Sequence, residues 1–248
     1  MFMSFKEREA TVLEYLRTHK EVSVSELCKV LFVSEPTIRR DLARLAKGKK
    51  IIRTHGGAYY RSAPGENLPQ EIREKENADK KNEIAKKCLE LINDGDTVMI
   101  DASSTALPLI KLLEGKNSIV VITNSTKAPA LLSNTNIKTF IAGGELATNT
   151  HGIVGSYAES FIKEFNADIC FLSVTRLSPD GRLTDNSIGE NAVRRAMLSR
   201  AKKRVLMLDS TKIGEHCIST LCSLDDIDIV VSDGNLGELF PKHKKKFI

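Results

Sequence analysis

Two stretches of this sequence carry residue types that could hold a small anionic molecule. Asp101-Ala-Ser-Ser-Thr105 offers a carboxylate and three hydroxyls. Asp209-Ser-Thr-Lys212 offers a carboxylate, two hydroxyls and an ammonium group. Each follows a short apolar run, and a hydroxyl-rich turn that opens a helix presents unpaired N–H groups suited to an anion such as phosphate. On this reading Ser103, Ser104 and Thr105 cradle the anion, Lys212 supplies a mobile cation, and Asp101 accepts hydrogen bonds from ligand hydroxyls. Similar polar groups end other apolar runs: Thr123 and Asn124, then Gly143 and Gly144. Arg176 is either a further ligand contact or a surface arginine. The same inventory could serve an isomerase, which needs a carboxylate base and a cation for an enediolate. Asp101, Asp185, Glu190 and Lys212 would then be its candidates.

The elements that must position these groups alternate along the chain. Strands are expected at 97–102, 118–123, 138–144, 168–174, 204–209 and 228–233. Helices are expected at 106–113, 127–132, 157–164 and 189–201, after one or two helices between 70 and 94 whose apolar stripe is Ile84, Cys88, Leu91 and Ile92. A repeating βα pattern implies a mostly parallel sheet covered by helices. Ligands of such sheets bind at the carboxyl ends of the strands, where the polar residues above fall.

A second kind of chemistry lies near the N-terminus. Residues 1–62 hold 13 basic and 7 acidic side chains, a net +6, whereas the remaining 24 basic and 25 acidic residues net −1. A basic head on a neutral body points to a polyanionic partner. Helical spacing runs from Phe5 to Thr18, with Val12, Leu13 and Leu16 on one face. Ser23-Val-Ser-Glu26 has the form of a capping box for a second helix carrying Val24, Leu27 and Leu31. Phe32-Val-Ser34 interrupts it. A third helix starts at Ser34, with Pro36 in its first turn, where proline is tolerated. Ile38, Leu42 and Leu45 form its back; Arg40 and Arg44, flanked by Thr37 and Arg39, form its front. This is a helix-turn-helix whose second helix fits a major groove of duplex DNA. Beyond Gly48, Ile51-Ile52 and Tyr59-Tyr60 flank Gly56-Gly57 as a two-stranded wing bearing Arg53 and His55.

The segment TIRRDLARLAKGKKIIRTHGGA (37–58) resembles the signature of the DeoR family of bacterial sugar-metabolism regulators. The resemblance implies that Ser34, Thr37, Arg39 and Arg40 face DNA, with the wing around His55-Gly56-Gly57 in support. The body is similar as well: DASST to the family's DSGTT loop, TNS to its TNS, AGG to its GG element, LDSTK to its ADSSK, and GENAVRRAML to its helix bearing a glutamate, here Glu190. Ser103 stands where the family usually has Gly, and FLSVTRLSPDG (171–181) replaces a more Gly-rich segment. The resemblance covers nearly the whole chain. It implies an α/β protein: an N-terminal winged helix-turn-helix and a C-terminal, mostly parallel, sugar-phosphate-isomerase-like sensor domain that takes a phosphorylated sugar as inducer.

The expected organisation is a DNA-binding domain at 1–62, a linker at 63–72 rich in Pro, Gly and polar residues, and an effector-binding domain at 73–248. The expected partners are a duplex DNA operator and a small-molecule effector, with a homo-oligomer, dimer or tetramer, matching two half-sites. Neither a cofactor nor a membrane contact is expected. Five cysteines without a CxxC read as reduced thiols of a cytoplasmic protein, and His216, Cys217 and Cys222 lack zinc-site spacing. Aromatic residues make up 5% with no Trp, too few for a stacking platform for single-stranded nucleic acid.

Overall fold

The computed structural model describes residues 4–48, 51–54, 56–60 and 68–248. The chain divides into two compact units, residues 1–76 and 77–248. Expected features on residues 61–67, half of the linker among them, and on His55 lie outside the described residues.

In the first unit, α1 (Phe5–His19), α2 (Val24–Leu31) and α3 (Glu35–Lys47) bury Val12, Leu16, Leu27, Ile38, Leu42 and Leu45 against one another. Each such side chain, fully buried, contributes about 1.5–3 kcal/mol. The capping box at Ser23 is formed: its Oγ accepts the Glu26 N–H, and the Glu26 carboxylate accepts the Ser23 N–H. Helix α2 ends at Phe32, which takes left-handed backbone angles (φ 53°) and is 93% exposed.

The wing differs from its expected two strands. β2 (Ile51–Arg53) and β3 (Gly57–Tyr60) pair as expected, but β1 (Glu21–Ser23) adds on the other side of β3. Gly57 permits this: a Cβ there would stand 2.0 Å from the Val22 carbonyl oxygen. The turn itself lies before Gly57, so the two glycines separate into a turn residue and a strand residue. A short α4 (Gln70–Lys75) follows, and Leu68 and Ile72 are buried with Ile52.

The second unit begins with α5 (Ala78–Leu89), preceded by Asn77 in left-handed conformation (φ 55°), which separates it from α4. The central sheet contains β4 (Thr97–Ile100), β5 (Val120–Thr123), β6 (Lys138–Ile141), β9 (Ala167–Leu172), β12 (Ala201–Leu208) and β14 (Ile229–Ser232). Their order is β14-β12-β9-β4-β5-β6, and every pairing is parallel. Alternate residues feed two cores, as the strand period of two requires. Val98, Ile100, Phe171, Val205 and Met207 face α5 and α6 (Leu107–Leu112), with α7 (Ala128–Leu132) alongside. Met99, Cys170, Leu172, Leu206 and Leu208 face α8 (Ser156–Lys163) and α9 (Ile188–Arg200).

Two small antiparallel elements lie outside the alternating pattern. β7 (Glu145–Leu146) pairs with β8 (Ile153–Val154), and β10 (Arg176–Leu177), β11 (Arg182–Asp185) and β13 (Ser219–Ser223) form a second sheet. Among the described residues, no helix is long and apolar enough to cross a membrane.

Candidate nucleic-acid interface and ligand site

Helix α3 buries Ile38, Leu42 and Leu45 and leaves Ser34, Arg39, Arg40 and Arg44 exposed, with Thr37 half-buried. The 3.6-residue period accounts for this division. Ser34 stands at the N-cap, where its hydroxyl shares a hydrogen bond with Thr37 (3.1 Å) rather than capping a backbone N–H. Arg39 makes a long contact with Glu35 (3.4 Å) along the exposed face. Arg44 lies over the Phe5 ring, 5.0 Å from its centroid, which ties it to α1. Arg53 and Gly56 are exposed on the wing. The helix is steadied from behind by Asp41, a residue the periodicity did not single out. It is buried and accepts from Arg8 of α1 at 2.7 Å. An exposed basic front on a rigid apolar back can enter a groove and meet phosphates or base edges.

In the second unit the carboxyl ends of β4, β9 and β12 meet at one cluster. Lys212 follows β12 in a short 3₁₀ turn (Ser210–Lys212) whose N-cap, Asp209, accepts the Thr211 N–H. From there its Nζ reaches past β9, donating to Thr105 Oγ1 and Ser173 Oγ, both at 2.8 Å. Ser173 ends β9, is fully buried, and itself donates to the Met207 carbonyl (2.6 Å). The sequence reading joined Lys212 to the 103–105 loop but overlooked Ser173, whose clue was a lone hydroxyl ending an apolar strand.

Asp101 is placed differently from expectation. One carboxylate oxygen accepts the Ser103 N–H (3.1 Å); the other accepts the Ser173 N–H (3.3 Å) and Arg194 Nε (2.8 Å). It therefore orders the loop internally instead of presenting an open acceptor. Ser103, standing where the family usually has Gly, accepts the Ala106 N–H on its Oγ (3.2 Å) and caps the turn into α6, a role Gly cannot fill.

Arg194 is the organising residue that sequence reasoning missed. It is 4% exposed and lies between Asp101, Asp185 (3.0 Å) and Glu190 (3.8 Å). Burial pulls its pKa down, but Asp185, Glu190 and Asp101 more than offset this and hold it above the usual arginine value. The signal available was its position four residues after Glu190, a spacing at which helical side chains meet. The three carboxylates considered for an isomerase base are thus gathered around one guanidinium.

At the neighbouring strand end, Thr123 Oγ1 donates to the Ile100 carbonyl (2.7 Å) and accepts the Ser125 N–H (3.0 Å). Asn124 donates to the Ile153 carbonyl (2.9 Å), while its buried Oδ1 has no hydrogen-bond partner among the described residues. Gly152 lies here too: a Cβ on it would come within 3.2 Å of both Ala102 and the Glu190 carboxylate. Gly143 and Gly144 follow β6, and Gly144 (φ 152°) makes room for the Val154 carbonyl, which a Cβ would approach to 2.6 Å. Arg176 donates to the Thr211 carbonyl (3.0 Å), bracing the turn that carries Lys212.

A surface hollow of about 290 Å³ lined by Glu114, Lys116, Asn117 and Asn134 lies at the amino ends of β5 and β6, the edge opposite to that where parallel sheets bind ligands. No group of side chains suited to a metal ion occurs among the described residues. The cysteines are unpaired, and burial pushes the Cys88 and Cys170 thiols well up.

With this geometry in hand, comparison with known proteins is informative. Residues 8–63 match the model of the DeoR-like helix-turn-helix domain, and residues 76–234 match that of the DeoR C terminal sensor domain. The HTH-type transcriptional regulator GolR of Listeria innocua is 32% identical over 95% of this chain and 93% of its own length. The glycerol-3-phosphate regulon repressor of Escherichia coli is 30% identical over 93% of this chain and 92% of its own. Among solved structures, ribose 5 phosphate isomerase A from Neisseria gonorrhoeae overlays 54% of this chain and 53% of its own, with 17% identity and a TM-score of 0.41.

Proposed function

The chain belongs to the DeoR family, as a DNA-binding transcription regulator with a sensor domain, and from that premise we propose that it represses a sugar-metabolism operon and is released by a phosphorylated sugar. The observation that carries the proposal is the placement of Lys212 Nζ, held by Thr105 and Ser173 across the carboxyl ends of three parallel strands. The Lys212 ammonium group, which also lies 3.9 Å from the Asp209 carboxylate, can exchange its hydroxyl contacts for hydrogen bonds to a phosphate, in which both partners are charged. Asn124 Oδ1, a buried acceptor without a partner among the described residues, suits a ligand hydroxyl. The name of the E. coli relative refers to a phosphorylated three-carbon polyol, in keeping with this chemistry.

On the DNA side, Ser34, Thr37, Arg39 and Arg40 make the groove contacts, Arg44 and Arg53 grip phosphate, and the wing around Gly56 follows the backbone. Two half-sites call for a homo-oligomer acting on duplex DNA in the cytoplasm. The tests are a thermal-shift screen of the full chain against phosphorylated sugars and operator binding in the presence of each hit. A ligand that binds the native state raises the melting temperature. The expected hit is a sugar phosphate that also releases DNA; stabilisation only by unphosphorylated sugars contradicts the assignment.

A further inference from the structure

The turn between α2 and α3 holds a side chain that the packing of its own unit does not use. Among the described residues, the non-glycine residues at positive φ are Lys20, Phe32, Asn77, Ser118 and Asn149, and Phe32 alone of these is apolar. It stands at φ 53° and ψ 42°, a left-handed conformation that suits Gly or Asn and is costly for a bulky side chain. Its neighbours account for the direction it takes. Leu31 is buried, and Val33 packs against the same core. The ring between them is turned into solvent, 93% exposed, where packing returns almost nothing. A strained backbone and a bare aromatic ring thus coincide at one position. Strain of this kind gathers where function makes use of it.

The place of the turn selects the partner. In a helix-turn-helix the first helix crosses the DNA backbone, and the second enters the major groove by its N-terminal residues. A residue of the connecting turn then stands at the edge of the groove. Phe32 is such a residue, two positions before Ser34, the N-cap of α3. The major groove presents hydrogen-bonding base edges and one apolar group, the C5 methyl of thymine. A phenylalanine ring neither donates nor accepts a conventional hydrogen bond, so that methyl is the base feature it matches.

We propose that Phe32 is a specificity residue of the DNA-binding unit, its ring packing on a thymine methyl at the edge of the groove that α3 enters. This rests on the reading of α3 as the groove helix. The contact adds an apolar readout to the polar one of Ser34, Thr37, Arg39 and Arg40. Ring and methyl leave water together on binding, which is favourable in proportion to the apolar area removed. The free protein carries the exposed ring and the strained turn; the complex recovers the burial.

The experiment measures the affinity of the full chain for duplex DNA from its own upstream region by fluorescence anisotropy. The DNA is prepared once with thymine and once with uracil, which lacks the methyl. Phe32→Asn is expected to bind the thymine DNA roughly tenfold more weakly than the parent, the loss of a partly buried ring. Replacing thymine by uracil should weaken the parent more than Phe32→Asn, by a factor of about four for one buried methyl. The urea midpoint of Phe32→Asn should equal or exceed the parent's, because Asn tolerates the left-handed backbone. A variant that binds as the parent does, or that shows the parent's full dependence on the methyl, overturns the thymine contact. A lowered midpoint gives the ring a structural role and overturns it as well. Arg40→Ala separates this proposal from its premise. If Arg40→Ala weakens binding and Phe32→Asn does not, only the role of Phe32 falls. If neither weakens it, the reading of α3 falls with it.

Discussion

The recognition helix and the sensing edge of the sheet both depend on charge, yet they hold it in opposite ways. Arg39, Arg40 and Arg44 stand in solvent on α3. Arg194, Asp101, Asp185 and Glu190 are enclosed and already paired with one another. A groove-binding surface meets its counter-charges on the DNA, and water solvates it until then, so exposure costs little. A small-ligand site must keep its geometry without solvent, so its charges are satisfied internally, and in the function proposed above Lys212 is the group that exchanges partners. Truncation should therefore damage stability at the sensing edge and affinity at the recognition helix.

The largest expected effect is at Arg194. Arg194→Met leaves buried carboxylates without their cation and should cost about 3–5 kcal/mol, the usual penalty for breaking a buried ion pair from one side. Urea unfolding of the variant would show it, and a loss below 1 kcal/mol would mean that water or rearrangement replaces the guanidinium. Arg39→Ala and Arg40→Ala should each weaken operator binding by about 1–3 kcal/mol if they contact bases. Their unfolding free energy should stay within about 0.5 kcal/mol of the parent. Equal losses on operator and random DNA would assign them to phosphates. A smaller effect is expected at Ser23→Ala, about 1 kcal/mol from the lost N-cap of α2. Acid offers the finest comparison. Asp168, held by Lys202 and the Thr97 N–H, and Asp228, held by Arg204, have pKa values below the ordinary one. Their contribution is present above the unfolded value, about 3.9, and is lost as pH falls through the folded values. Melting curves of the sensing unit should decline as pH drops below about 4.

The helix-turn-helix was legible because its evidence is local: a capping box at Ser23 and Glu26, a proline at 36, and apolar stripes at helical spacing. The parallel strands were legible from their apolar runs, and the link between Lys212 and the 103–105 loop from the rule that strand ends share an edge. The short strands β1, β7, β8, β10, β11 and β13 were not, since two to five residues carry too little periodicity. Nor was Arg194 legible as a hub, because its partner Asp101 lies 93 positions away. Asp101 misled for a related reason: a carboxylate at a strand end looks the same in sequence whether it faces a ligand or an arginine.

The central claim is that DNA is read by one unit and the anion by Lys212 in the other. Its most direct test is fluorescence anisotropy of the full chain on DNA from its own upstream region, titrated with the sugar phosphate that stabilises the parent most. Lys212→Ala should bind that DNA as tightly as the parent and no longer release it at ligand concentrations that free the parent. Release of Lys212→Ala at the same concentrations as the parent would contradict the account.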